Sequence, residues 1–350
     1  MKSQHDTLHS FTTRFSFIGK NNVLSYLPGI LLTAIIAIFA HMLGQAFPVI
    51  GGAVVAVILG VAIKQFTGVP LLFNKGINFT LKKLLKAAII LLGFGYSFSE
   101  IYSLGFNALI IVIVAVLIGI FLTYFIARLL KLEGNIPLLI SLGTGICGAT
   151  AIATSGPIIK AKDEEIVYAV NTIFAFNVLA VLVYPLIGRL LSMPDQQFGV
   201  WAGTAIHDTS SVVAAGYNYS AAAGDTSVVV KLIRTLMLVP TAIVLSILIS
   251  VKSQGIQNEH NRFNLARVFP YFVLVFAGAT ALNTLFPLPA VLTDTTSTAA
   301  KFIILMVMAS VGLGTDIRKI KSVGLRPLFV GLISSIVMGT ICFVLAGWLF

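Results

Sequence analysis

Charge is what this chain has least of. Only 10% of its 350 residues are Asp, Glu, Lys or Arg, against about 25% in a soluble globular protein, and that excludes a soluble two-domain protein. Its two cysteines, Cys147 and Cys342, lie far apart in apolar stretches, without a CxxC or a Cys/His cluster. Neither a disulfide nor a structural metal site is expected. No GxxxxGKS/T phosphate loop occurs, so direct drive by ATP is not expected. A GxSxG nucleophile elbow is also missing. An enzyme is therefore not expected, and neither is a cofactor.

What is present is hydrocarbon. Apolar residues make up 58% of the chain and the mean hydropathy is +1.01. A membrane-crossing helix needs about 20 apolar residues, so the chain has room for roughly ten or eleven, as in a small transporter. Apolar segments punctuated by Gly, Pro or charge run approximately over 24–46, 49–66, 80–98, 105–127, 135–159, 165–188, 198–216, 226–250, 267–288, 298–315 and 327–349. Residues 1–23 carry Lys2, Arg14 and Lys20 without a cleavable apolar core and read as a cytoplasmic tail. Residues 24–350 then form one transmembrane domain. The net charge of +11 points to cytoplasmic loops held against anionic headgroups and not to nucleic acid. With the N-terminus inside and eleven crossings, 18 of the 23 basic residues fall in cytoplasmic loops. Lys160, Lys162, Lys231, Arg234 and Lys301 are the exceptions.

Gly93–Gly105 and Gly312–Gly324 match at five of 13 positions, including both glycines of a GxG. The charge argument makes their spans antiparallel, so inverted-repeat elements are expected around 80–127 and 298–349, as in secondary transporters whose site lies where discontinuous helices meet. Residues 141–161, SLGTGICGATAIATSGPIIKA, hold enough Gly and Pro to interrupt a helix. The half-helix that follows would offer oriented amides to an anion, with Thr144, Gly145, Cys147, Gly148, Thr150, Thr154 and Ser155 as candidate substrate ligands. Small residues that only permit close helix packing explain the same pattern.

Residues 199–216, GVWAGTAIHDTSSVVAAG, contain the adjacent pair His207 and Asp208, followed by Ser210. Ionisable groups at membrane depth usually face a cavity, a partner or a proton path. The pair is the candidate for proton or cation coupling and Ser210 a candidate ligand; alternatively the pair caps a re-entrant helix. TAIATSGPIIKA (150–161) and TAIHDTSSVVAA (204–215) resemble each other, as two halves of one site would, although eleven crossings make them parallel. In VVVKLIRTLMLVP (228–240), Lys231 and Arg234 share a helix face. Lys231 can snorkel, and Arg234 needs an oxyanion or a carboxylate such as Asp208 or Asp225. Asn171 and Asn177 read as interhelical hydrogen-bonding groups, and Lys162–Glu165 as a solvated loop.

At LLGFGYSFSEI (91–101), GICGATAIATSGPIIKA (145–161), GVWAGTAIHDTSSVVAAG (199–216), KLIRTLMLVP (231–240) and SVGLGTDIRKIKSVGLRPL (310–328) the sequence resembles the YeiH-type sulfate exporter family of bacterial inner-membrane proteins. The resemblance implies a fold related to the cation/proton antiporter and bile-acid transporter superfamily, with crossed broken helices. The expectation is thus an all-α polytopic membrane protein with inverted repeats and discontinuous helices. It would export a small inorganic or sulfur-containing anion with proton coupling. A sodium/proton or other cation antiporter using Asp208 is the alternative, and the reading accommodates a homodimer in a lipid bilayer.

Overall fold

The structure, a computed structural model, describes residues 23–46, 51–252, 269–315 and 325–350. Every long element among them is a helix, as a chain immersed in hydrocarbon requires: only internal hydrogen bonding satisfies the backbone there. The helices are α1 (Leu27–Ala46), α2 (Gly52–Phe66), α3 (71–93, in which Leu71–Phe79 and Leu85–Gly93 join through a π-helical turn, Thr80–Leu84) and α4 (Phe98–Leu129). Then come α5 (Ile136–Gly145), α6 (Ala149–Ile158), α7 (Asp163–Leu190), α8 (Asp195–Ala205), α9 (Thr209–Tyr219), α10 (Ala221–Leu236) and α11 (Leu238–Lys252). The last are α12 (Tyr271–Leu285), α13 (Ala290–Gly314) and α14 (Leu325–Leu349). Six spans among the described residues are long and apolar enough to cross a membrane, carried by α1, α4, α7, α10 with α11, α13 and α14. This is a polytopic membrane protein. Residues 1–22, the loop cations Arg262, Arg267, Arg318, Lys319 and Lys321, and most of the second copy of the GxG repeat lie outside the described residues.

Several helices begin earlier than hydropathy suggests. α3 starts at Leu71, α10 at Ala221 and α13 at Ala290; the first turns of α10 and α13, AAAGDTS and AVLTDTTST, are too polar to stand out by hydropathy. The larger correction concerns the two interrupted segments, neither of which crosses. α5 and α6 fold back on each other: the Glu165 carboxylate, at the start of α7, accepts the Asn135 amide at the base of α5 (2.8 Å) and the Lys162 amide beyond α6 (2.8 Å). The 162–165 run is therefore a clasp as much as a solvated loop. α8 and α9 also form a hairpin, with Phe198 of α8 stacked on Tyr219 of α9 at a centroid distance of 3.9 Å. Eleven full crossings are thus too many; two of the segments are re-entrant.

α7 sets the relation between the hairpins. Its 28 residues span about 42 Å. The α5–α6 hairpin is clasped at its first turn, while the α8–α9 hairpin is held at its last, where Gly188 lies against Phe198 and Tyr219. The hairpins therefore enter from opposite ends and their tips, residues 146–148 and 206–208, meet beside the middle of α7. There the Asn177 side chain accepts the Asp208 amide (3.1 Å). α5 and α8 are antiparallel, not parallel. The TAI match between 150–152 and 204–206 pairs the start of one helix with the end of another, so it marks no shared position in the fold.

Around the hairpins the helices form two layers: α1, α2, α3, α12 and α13 pack together, and α4, α7, α10, α11 and α14 enclose the hairpins. α9 joins the layers by packing on α2 and α13. Near the base of α9, Asp225 of α10 accepts both the Tyr96 hydroxyl (2.7 Å) and the Tyr217 hydroxyl (2.5 Å). In the first layer backbones touch. A Cβ added to Gly60 of α2 would lie 2.9 Å from the Gly312 Cα of α13, and one added to Gly312 the same distance from the Gly60 Cα. This is the small-residue contact that membrane helices use in place of a hydrophobic drive. Gly312→Leu should lower the thermal midpoint in detergent by ~5 °C or more, through overpacking against backbone. Gly278→Leu, where an added Cβ meets nothing within 4 Å, should leave it unchanged.

Candidate functional site

The hairpin tips pose a backbone problem. A helix ending inside a membrane leaves its last carbonyls without partners, and each unpaired buried polar group costs about 1–3 kcal/mol. Here two helices, α5 and α8, end at the same depth. The first carbonyls are met locally: Ile146 N–H donates to Leu142 O (3.1 Å), Gly148 N–H to Gly143 O (2.9 Å) and Ile206 N–H to Ala202 O (3.1 Å). Arg234 and Lys231, both fully buried on α10, meet five more. Arg234 donates from Nε to Gly145 O (3.0 Å), from Nη2 to Thr144 O (2.5 Å), and from Nη1 to Thr204 O (2.5 Å) and Ile206 O (3.2 Å). Lys231 Nζ donates to Ile206 O (2.8 Å) and Ile146 O (3.3 Å). Each cation thus bridges both hairpins and sits at the negative ends of two helix dipoles.

This corrects the sequence-based expectation for both residues. Lys231 does not snorkel, because α10 begins five residues earlier than expected and carries it to full burial. Arg234 pairs with neither Asp208 nor Asp225, since its guanidinium is engaged by four backbone carbonyls. In the structure it positions the tips, with four of its five N–H donors engaged there.

The opposite helix ends are treated unequally. α9 is capped: the Asp208 carboxylate accepts the Ser210 amide (2.9 Å) and also the Ser210 hydroxyl. α6 has no side-chain cap. Its N-cap residue, Gly148, holds φ +64°, a value that favours glycine, and the site of a Gly148 Cβ lies 3.5 Å from the Asp208 Cα. Of the first-turn amides, Ala151 reaches Cys147, whereas Ala149 and Thr150 have no acceptor within the helix. Ala149 is half-buried and Thr150 exposed. Two positive helix ends therefore converge, and one carboxylate serves them.

Thr144, Gly145, Cys147, Gly148, His207, Asp208 and Ser210 all come together at the tips. Thr150 stands on the open flank of α6, while Thr154 and Ser155 lie one to two turns further toward the hairpin base, Ser155 about 10 Å along the helix from Gly148. His207 is buried and shares a hydrogen bond of 3.0 Å from Nε2 with Ser335 of α14. Ser335 had no signal in the sequence. Asn177 had one, as a buried amide in need of a partner, but not its partner.

These features define a membrane protein built around two opposed re-entrant hairpins pinned by buried cations. The family described as "Conserved hypothetical protein 698" matches residues 28–331, and the chain belongs to it. It is 35% identical over 333 residues to a UPF0324 membrane protein of Clostridium tetani, covering 92% of this chain and 96% of the relative. A UPF0324 membrane protein of Streptococcus pyogenes serotype M18 is 38% identical over 317 residues, with 89% and 93% covered. One from Fusobacterium nucleatum is 36% identical over 323 residues, with 87% and 92% covered. No solved structure matches.

The geometry makes a stability prediction. Arg234→Lys should destabilise the purified protein by ~2 kcal/mol or more, since an ammonium cannot reproduce a fork that reaches four carbonyls. Lys231→Met should destabilise it less, as Arg234 still reaches Ile206 O. Chemical unfolding followed by tryptophan emission would read both.

Proposed function

We propose that the protein is a secondary transporter of a small inorganic or sulfur-containing anion, sulfate foremost, with proton coupling at His207 and Asp208. The observation that carries the reading is the uncapped N-terminus of α6 at mid-depth, facing the N-terminus of α9. In electrostatic terms, the ends of α5 and α8 each contribute about half a negative charge, and those of α6 and α9 about half a positive charge. These cancel. The N-terminal end of α6 has no carboxylate of its own, since Asp208 caps α9. An anion would be held by the Ala149 and Thr150 amides, with the Thr150 hydroxyl as a further donor. The same geometry weighs against the cation-antiporter reading, because a metal ion at Asp208 would sit between two positive helix ends.

The N-terminus is assigned to the cytoplasm of a bacterial inner membrane. A re-entrant α5–α6 hairpin puts Lys160 and Lys162 on the same side as Arg128 and Lys131, which strengthens the positive-inside pattern, while Arg189 moves to the other side. The opposed hairpins agree with an inverted repeat, and residues 24–350 act as one transport domain without enzymatic chemistry.

In proteoliposomes, uptake or release of labelled sulfate or sulfite should depend on a pH gradient. Thr150→Val should weaken apparent affinity ~10-fold or more, the worth of a hydrogen bond to a charged ligand. Asp208→Asn keeps a competent helix cap and should abolish the pH dependence while leaving the fold intact. Cation-driven proton flux that needs no anion would overturn the anion reading.

A further inference from the structure

A cavity of about 350 Å³ lies between α7, α8 and α14, on the far side of the 206–208 tip from α6. Its walls are Phe176, Tyr184, Trp201 and Phe343, and its inner end holds His207 and Ser335. The size is that of a ligand pocket, but the lining is nearly all apolar. No small anion would exchange its hydration for these walls.

The mouth identifies the occupant. Leu179, Leu191 and Ile336 line the cavity and are also 46%, 54% and 59% exposed. Along this flank α7 and α14 present further large apolar side chains to the outside, including Leu186 and Ile333, so the opening faces lipid and not water. The depth agrees. From Leu191, at the end of α7, to Asn177, at its middle, the cavity follows the helix for about 21 Å, which is half of a bilayer about 40–45 Å thick with its headgroup regions.

We infer that this cavity is a binding slot for one acyl chain of a membrane phospholipid, inserted tail-first so that its end rests near His207 and Ser335. The headgroup stays at the interface beside the end of α7, and the hydrocarbon fills a void that would otherwise forfeit dispersion contacts on every wall. The chain seals the back of the α8–α9 tip against water. None of this depends on what the protein transports.

Tryptophan emission tests it directly. The chain has two tryptophans: Trp348 is 81% exposed, whereas Trp201 is only 4% exposed and lines the slot. In Trp348→Phe protein reconstituted into phosphatidylcholine brominated on its acyl chains, Trp201 should lose most of its emission despite its burial. Aqueous acrylamide should have little effect. Ala180→Phe, which fills the slot from α7, should restore the emission in brominated lipid; Val183→Phe serves if the first variant misfolds. Emission unchanged by brominated lipid would overturn the inference, as would quenching by acrylamide, which would mean a watery cavity. A second copy of the chain packed over the mouth would shield Trp201 from both quenchers, and that result would overturn it as well.

Discussion

The organisation of this protein depends on the pairing of two buried cations with backbone carbonyls. Ending two helices at the centre of a membrane costs several unpaired carbonyls and two uncompensated dipole ends, and hydrocarbon offers no solvent for either. Arg234 answers this with a planar fork that spans both hairpins, and Lys231 with a point charge one turn away. Because each cation bonds to both tips, the two hairpins are not independently placed: their separation is fixed by the reach of one guanidinium. The fixed charges leave the N-terminal ends to be neutralised in a different way, by a carboxylate on one and, in the proposed function, by substrate on the other. Structural and functional electrostatics thus occupy opposite ends of the same four half-helices.

Much of this was legible in residue patterns. The scarcity of charge placed the chain in a bilayer, and the spacing of Gly and Pro in 141–161 located one interruption. The His-Asp pair located the other. Eleven apolar segments correspond one to one with the eleven structural units. What composition cannot convey is the direction of the second half of an interrupted segment: a kinked crossing and a hairpin use the same glycines. The discriminating residues are at the hairpin bases, Glu165 for one and Phe198 with Tyr219 for the other, and their partners lie 20 to 30 residues away in sequence.

The surroundings of the buried cations escaped notice for a related reason. Arg234 was weighed against an oxyanion or a carboxylate, since a buried charge without a countercharge is costly, and Lys231 against the reach of its chain toward water. Backbone carbonyls at helix ends serve in place of a carboxylate, and no sequence pattern announces which carbonyls will be free. Residues such as Thr144, Gly145, Thr204 and Ile206 contribute to the site through main-chain oxygen atoms, which every residue type possesses. Ser335 escaped notice for a similar reason, as one of two adjacent serines in an apolar helix, where a hydroxyl is ordinarily absorbed by its own backbone.

α7 carries no charge at the crossing and contributes little beyond Asn177, yet it acts as the ruler of the molecule. One hairpin hangs near each of its ends, and the tips meet because the stretch from Glu165 to Gly188, about 34 Å, matches the combined length of α5 and α8, about 32 Å. Lengthening it by a single turn would slide the hairpins about 5.4 Å apart, nearly twice the length of a hydrogen bond. No side chain on α10 could then grip both. The number of residues in this apolar helix is therefore as much a parameter of the site as the identity of any residue within it.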